Sequence, residues 1–260
     1  MFLKVLSIFI LSIMCLCLNV YAGSTVVVPN ANINTDGNGL NVLPFACNIE
    51  EIRYQQLYDS SQFEGPCYIT EIRLRRDAAG VDLGPADVSN VIIQFSTSPN
   101  DVSSISSTFA DNIGSDVVTV FDGTIKVHTD CGSDNPCPFD QDFPFQQGIM
   151  YDPNQGDLLI DVRMPSCSIV GEPNGYDAVF DSLVVSRAGS DNDVNSPTAD
   201  FMGPDGLVTQ FVCGEPPTEG PIAVVPTMGQ WGIIFASILL GVFGVLAILR
   251  EKKLGIYFRK

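Results

Sequence analysis

A short segment in the second half of the chain carries oxygen ligands at alternate positions. The side chains concerned are Asp191, Asp193, Asn195 and Asp200. Oxygen-bearing residues at every second position are typical of a calcium-binding loop. An EF-hand is excluded, because Ser196 stands where that loop needs glycine and Met202 where it needs the bidentate glutamate. Two interpretations remain, a looser Ca²⁺ site between the loops of a sandwich and a solvated Asp/Asn loop.

Residues for covalent or acid–base catalysis are sparse. Nucleophilic catalysis needs a base beside the nucleophile, and the one histidine, His128, lies at the end of a predicted strand beside Thr129. No Gly-x-Ser-x-Gly elbow, phosphate-binding glycine loop or dinucleotide motif occurs. Paired carboxylates support glycoside hydrolysis, but 30 acidic residues produce such pairs by chance. The sequence therefore predicts no catalytic residues and no enzymatic activity.

The chain is strongly acidic, with a formal net charge of −17 at pH 7. Residues 23–225 are more acidic still, because almost half of the basic residues stand near the two ends of the chain. Such a surface repels phosphate backbones and excludes nucleic acid as a partner. It attracts divalent cations, and it also keeps an exported protein soluble.

Six of the eight cysteines lie between the two ends: Cys47, Cys67, Cys131, Cys137, Cys167 and Cys213. An even number of cysteines in an exported domain predicts disulfides formed in an oxidising compartment. Six cysteines allow 15 pairings. We expect the nearest-neighbour set, Cys47–Cys67, Cys131–Cys137 and Cys167–Cys213. A zinc site is disfavoured, because the chain has a single histidine and no Cys-x-x-Cys.

The elements that must position these residues are short strands. Apolar and polar residues alternate over residues 68–75, 91–96, 118–120 and 158–163. Residues 182–185 and 207–212 are two further candidate strands. Strict alternation predicts half-buried strands. In particular, we expect Tyr68, Thr70, Ile72 and Leu74 to share one face. One modest helix is predicted over 102–112, capped by Asp101.

Many short strands separated by Gly, Pro, Asn and Asp predict an all-β domain over residues 23–213, an antiparallel β-sandwich or jelly roll. Residues 214–224 lose the alternation and are rich in proline. That composition predicts a semi-extended stalk.

The first 22 residues have the pattern of a signal peptide. Lys4 supplies the positive charge, an apolar run extends from Val5 to Leu18, and Val20 and Ala22 fit the −3 and −1 positions of a cleavage site. We therefore expect an N-terminal signal helix at residues 1–22 that signal peptidase removes after Ala22.

The other end of the chain contains a predicted membrane span. Residues 231–249 form an uncharged run long enough to cross the hydrocarbon core as a helix. Arg250, Lys252 and Lys253 follow at once and predict a cytoplasmic stop-transfer end, since basic residues beside a span stay inside. Residues 23–224 would then lie outside the cytoplasm, and residues 254–260 would form a cytoplasmic extension.

The residues before this span form a recognisable motif: Val225, Pro226, Thr227, Met228, Trp231 and Gly232. They resemble the Ile-Pro-Thr-Leu-x-x-Trp-Gly signature of the IPTL-CTERM sorting domain, which is related to the PEP-CTERM tails of Gram-negative surface proteins. The resemblance covers residues 225–253 and implies processing by an exosortase-type membrane protease. Residues 50–212 also resemble an uncharacterised β-rich domain of such sorted proteins, which implies no activity.

These features together predict an exported cell-envelope protein. Its precursor would be a single-pass protein of the inner membrane in a Gram-negative-type cell, with the final product at the cell surface or outside. A structural or interaction role is expected there, with exopolysaccharide as one partner. The alternative is a carbohydrate-binding module or glycan-active enzyme on a β-sandwich, because sandwich folds also host lectins and a fold alone does not decide function.

Overall fold

The computed structural model describes residues 23–45, 51–166, 175–191 and 193–217. In these residues the chain forms mostly β-strands, two 3₁₀ turns (Asn30–Asn32 and Ser60–Gln62) and a short helix, α1 (Phe109–Asn112). The strands are β1 (Ser24–Val28), β2 (Gly39–Asn41), β3 (Ile52–Tyr58), β4 (Cys67–Leu74), β5 (Ala86–Thr97), β6 (Val118–Val127), β7 (Gln141–Tyr151), β8 (Leu158–Met164), β9 (Tyr176–Val179), β10 (Val185–Ser190), β11 (Phe201–Gly203), β12 (Gly206–Leu207) and β13 (Thr209–Gly214).

The strands form three sheets. A four-stranded sheet has the order β1-β13-β4-β7, a six-stranded sheet the order β11-β10-β3-β8-β5-β6, and a three-stranded sheet the order β12-β9-β2. All of these pairings are antiparallel. The predicted all-β, antiparallel fold is therefore confirmed for the part of the chain that the structure describes.

A single apolar core lies between the four-stranded and six-stranded sheets. Phe211 of β13 is at its centre: its ring centroid is 4.9 Å from that of Tyr58, 5.3 Å from that of Phe63 and 6.4 Å from that of Phe95. The Tyr58 and Phe95 rings meet Phe211 edge to face, an arrangement that aromatic quadrupoles favour. All four side chains are buried, so aromatic residues from both sheets hold the layers together.

Strand β4 shows where simple alternation fails. Ile72 and Leu74 are buried as predicted, but Tyr68 and Thr70 are only partly buried, and Cys67 and Ile69 face the core instead. In the pairing of β4 with β13, Val212 lies opposite Glu71 and the next residue, Cys213, lies opposite Ile69, so Thr70 is an extra residue in β4. A β-bulge of this kind inserts one residue and reverses the phase of the strand. The predicted single face from Tyr68 to Leu74 is therefore wrong in its first half.

Strand β3 is buried along its whole length, including Arg53 and Gln55 on the face away from the main core. The loop between β5 and β6 covers that face. Arg53 lies with its guanidinium 4.4 Å from the Phe109 ring, and Gln55 Nε2 donates to the Phe109 carbonyl at 3.1 Å and to Asp161 Oδ2 at 2.9 Å. Hydrogen bonds satisfy most of these buried polar groups, as burial requires, but Arg53 Nε has no partner among the described residues.

The predicted helix over 102–112 is confined to its last four residues. The Asp101 carboxylate accepts hydrogen bonds from the backbone N–H and the hydroxyl of Ser103, at 2.9 and 2.6 Å. Local bonds of this kind compete with helix formation. Helix α1 instead begins after Thr108, whose side chain makes no capping hydrogen bond. The prediction that Asp101 caps a helix is therefore wrong, and Asp101 instead forms a turn with Ser103.

Two disulfides are present in the described residues. Cys131–Cys137 is confirmed, whereas Cys67 bonds to Cys213, with 5.4 Å between their Cα atoms. The predicted pairs Cys47–Cys67 and Cys167–Cys213 are therefore wrong. The physical reason is that β13 pairs with β4, which brings together residues 146 positions apart. Cys47 and Cys167 lie outside the described residues.

Several predictions fall on parts of the chain that the structure does not describe. These are the signal peptide 1–22, most of the stalk 214–224, the sorting motif 225–232, the span 231–249 and the basic residues after it. Within the described residues, no helix has the length and apolar character needed to cross a membrane.

Candidate functional site

Three aspartates from separate parts of the chain meet beside the end of β4. Asp36 lies in the loop after the first 3₁₀ turn, Asp77 in the turn after β4, and Asp177 in β9. One carboxylate oxygen of each lies within 4.8 Å of the others. Backbone hydrogen bonds hold the end of β4 beside β9 and so bring Asp77 close to Asp177. The Asp77 amide donates to the Gly175 carbonyl at 3.1 Å, and the Asp177 amide donates to the Arg75 carbonyl at 2.9 Å. We call these three residues the aspartate cluster.

Arg75 neutralises part of the cluster. Its side chain is 1% exposed, and its Nε donates to Asp177 Oδ2 at 2.7 Å. Its Nη2 donates to the carbonyls of Asn32 and Thr35 at 2.9 and 2.7 Å. The guanidinium also lies 4.7 Å from the Phe139 ring centroid. Arg75 therefore binds the 30–37 loop to β9 and satisfies most of its own donors in the interior.

The cluster carries more negative charge than Arg75 balances. Burial raises the pKa of Asp177 to about 6, against the lowering effect of Arg75. Burial, and then the charge of Asp77, raises the pKa of Asp36. Oδ1 of Asp36 is buried and has no hydrogen-bond partner among the described residues. Burial and repulsion between carboxylates favour protonation, so Asp36 and Asp177 hold their protons to a higher pH than ordinary aspartates do.

The chemistry open to this arrangement is limited. Carboxylate oxygens are ligands for hard cations such as Ca²⁺ and Mg²⁺, and they also share protons. The Asn32 and Thr35 carbonyls are two further oxygen atoms of the 30–37 loop, and both accept hydrogen bonds from Arg75. Sequence reasoning missed the cluster, because its members are separated by 41 and 100 positions and no local spacing marks them.

The predicted calcium loop lies elsewhere and is open to solvent. Asp193 Oδ1 accepts the Asn195 amide at 2.8 Å, and Asp200 Oδ2 accepts the Ser190 hydroxyl at 2.7 Å. Asp191 is exposed. The aspartate cluster is the one group of three His, Cys, Asp or Glu side chains within 4.8 Å of one another in the described residues. The structure therefore does not gather Asp191, Asp193 and Asp200 in this way, and Ca²⁺ binding by the loop stays a prediction.

His128 follows the end of β6 and is exposed, as the sequence predicts. Its backbone amide donates to Gln141 Oε1 at 2.7 Å, which ties β6 to β7. Burial raises the pKa of Asp140, while the hydrogen bond from the Asp130 amide and, to a smaller degree, the nearby His128 lower it. Nothing in this geometry pairs the imidazole with a serine or cysteine nucleophile in the described residues.

No family model, no curated protein and no solved structure matches the chain. The function must therefore be inferred from the residues of this chain.

Proposed function

We propose that this protein acts outside the cytoplasm, as an exported cell-envelope protein with a structural or interaction role. The observation that carries this proposal is the pair of disulfides, Cys67–Cys213 and Cys131–Cys137. Disulfides form and persist in oxidising compartments and are rare in the cytosol. The first of them joins strands from distant parts of the sequence, so it stabilises the fold as a whole.

The two ends of the sequence support the same proposal. The signal peptide pattern at residues 1–22 provides entry to the secretory route. Residues 225–253 resemble an IPTL-CTERM tail. This resemblance supports a membrane-bound precursor that is processed by an exosortase-type protease. We propose that the inner membrane holds the precursor and that the product reaches the cell surface or the extracellular matrix.

The architecture also suits an interaction role. We propose that residues 23–213 form a β-sandwich of jelly-roll type, in which loops at the ends of the two sheets present binding surfaces. The acidic surface keeps such a domain soluble outside the cell. Fold alone does not decide what such a domain binds.

The test is the intact mass of the mature protein from its native host, measured with and without reduction. We expect a mass that starts at Gly23, ends near Val225 and is lowered by about two daltons for each disulfide. A mass that ends at Lys260 would reject sorting cleavage. Retention of Met1 together with fully reduced cysteines would reject export itself.

A further inference from the structure

A groove of about 400 Å³ lies at the edge of the six-stranded sheet. Three segments form its walls: the loop after β5, the turn before β10 together with the start of β10, and the end of β11 with the residue after it. The lining residues are Val102, Ser103, Ile105, Ser182, Leu183, Ser186, Met202, Gly203 and Pro204. We call it the Ser186 groove. Its volume is at the low end of the range for small-ligand sites.

The walls of the groove expose apolar side chains to water. Leu183 is 87% exposed and Met202 is 44% exposed, and both line the groove. Val102, Ile105 and Pro204 extend this apolar surface. Isolated exposed apolar residues need no explanation, but several that line one concave surface mark a binding site.

Ser186 gives the groove a polar group that lacks a partner. Its side chain is the most deeply buried of the lining, at 2% exposed. Its Oγ has no hydrogen-bond partner among the described residues. Ser182, by contrast, accepts the amides of Val184 and Val185. A buried hydroxyl without a partner is unfavourable, and a ligand atom that displaces the atoms covering this Oγ would remove that cost.

The groove also borders an unpaired strand edge. Strand β11 pairs with β10 on one side, and no strand of the described chain pairs with its other side. Such an edge offers backbone N–H and C=O groups to an added strand. Strand addition gives affinity through the backbone, and an adjacent recess selects a side chain of the added segment.

Charge at the mouth of the groove restricts the partner further. Asp101 and Asp181 are exposed and directly precede the lining residues Val102 and Ser182. None of the lining residues is charged or aromatic. The two carboxylates favour a cationic ligand, and the absence of an aromatic platform in this lining disfavours stacking on a sugar ring.

We infer that the Ser186 groove binds an extended, basic peptide segment of another protein, which adds to β11 as a strand. An unbranched apolar side chain fills the groove between Leu183 and Met202. Methionine suits it best, because its flexible stem fills irregular space and its sulfur is a weak acceptor for the Ser186 hydroxyl. Lysines that flank it meet Asp101 and Asp181. The inference rests on the proposed interaction role and names the partner's chemistry.

The test measures binding of a fluorescent nine-residue peptide to the full chain, purified in detergent with its disulfides formed. The peptide has a central methionine, a valine on each side and a lysine next to each valine. We expect saturable binding with Kd in the range of about 1–100 µM, weakened by added salt. A peptide with aspartate at the centre and glutamates in place of the lysines should not bind.

Two variants separate binding from folding. Ser186→Ala removes a hydroxyl that has no partner, so the melting temperature should stay the same or rise. The Kd for the methionine peptide should nevertheless increase at least about 5-fold. Leu183→Ser should weaken binding to a similar degree, whereas Val81→Ser, at an exposed valine outside the groove (57% exposed), should not.

Three results would overturn the inference. One is no saturable binding of the methionine peptide at 1 mM. Another is binding that both Ser186→Ala and Leu183→Ser leave unchanged. The third is an oligosaccharide, found on a glycan array, that binds instead of the peptide and whose binding both variants weaken. Each is measured on purified protein, so it is independent of the mass measurement that tests export.

Discussion

Arg75 and Asp177 form an ion pair that is sealed from solvent. Nη2 of Arg75 lies 2.6 Å from Oδ2 of Asp177, and the two side chains are 1% and 0% exposed. The pair joins the chain after β4 to β9, and it lies at the centre of the aspartate cluster. Removing one partner of a buried pair leaves the other charged and uncompensated, which is far more costly than removing an exposed pair.

The first prediction concerns this pair. Arg75→Met should lower the free energy of unfolding by about 3–5 kcal/mol, measured by urea unfolding. Arg73→Met is the matched control, because Arg73 pairs with Glu71 in a setting where the two side chains are 37% and 19% exposed. The control should change stability by less than about 1 kcal/mol. Equal losses in the two variants would contradict the special role of burial.

The second prediction concerns pH. The pKa of Asp177 is raised to about 6 in the folded protein, so the folded state favours the protonated carboxyl. The stability that this provides is fully present below the unfolded pKa of 3.8 and is lost as the pH rises through about 6. The charge of Asp36 contributes to the raised pKa. Asp36→Asn should therefore reduce that loss.

The measurement is the difference in melting temperature between Asp36→Asn and the wild type across pH 4 to 8. The difference should increase in favour of the variant from about pH 4 to 6 and then level off. Because Asp36 is partly exposed, the gain at neutral pH should stay below about 1 kcal/mol. Glu64→Gln, at an exposed site outside the cluster, should give a flat difference. A flat difference for Asp36→Asn would contradict the coupling.

The third prediction concerns the two disulfides. The Cys67–Cys213 bond spans 146 residues and Cys131–Cys137 spans 6. Loop-closure entropy then assigns about 5 kcal/mol to the first and about 2 kcal/mol to the second. We expect Cys67→Ala with Cys213→Ala to lower the midpoint of urea unfolding much more than Cys131→Ala with Cys137→Ala. Non-reducing peptide mapping should recover both bonds, and a Cys47–Cys67 peptide would contradict the pairing.

The fourth prediction concerns Asp157, which holds the loop that forms one wall of the Ser186 groove. Its two carboxylate oxygens accept the amides of Ser60 and Val102 at 2.8 and 2.9 Å, and the residue is 7% exposed. Asparagine cannot accept at both positions. Asp157→Asn should cost about 1–3 kcal/mol and speed amide exchange at Val102. Asp152→Asn, at a partly exposed carboxylate that accepts hydrogen bonds from Asn154, should leave that exchange unchanged.

Local patterns predicted several of the strands, because burial of one face is a local property, although the candidate at 182–185 is a turn except for Val185 at the start of β10. Alternation marked β5, β8 and β13, and the structure places Ile93, Ile160 and Phe211 from these strands in the core. The same rule failed at β4, where the extra residue Thr70 in the pairing with β13 reverses the phase. It also failed to show that β3 is buried on both faces, because the covering loop is far away in sequence.

The candidate sites were beyond local patterns for the same reason. The aspartate cluster needs β9 beside the chain after β4, and the Ser186 groove needs three segments that meet only through the sheet order. The disulfide of Cys67 likewise follows from the neighbourhood of β4 and β13, which no spacing of cysteines reveals. The order of the strands in the sheets decides which distant residues meet, and sequence reasoning predicted several strands but not their order.

The position of Cys213 has a mechanical consequence. It is the penultimate residue of β13, directly before the chain leaves the sheet. Tension applied to the chain beyond Gly214 therefore passes through the covalent bond to Cys67 and into β4, a central strand flanked by β13 and β7. The last strand cannot be peeled away from its end one hydrogen bond at a time. A pull from that side is instead distributed over the four-stranded sheet and its packed aromatic core.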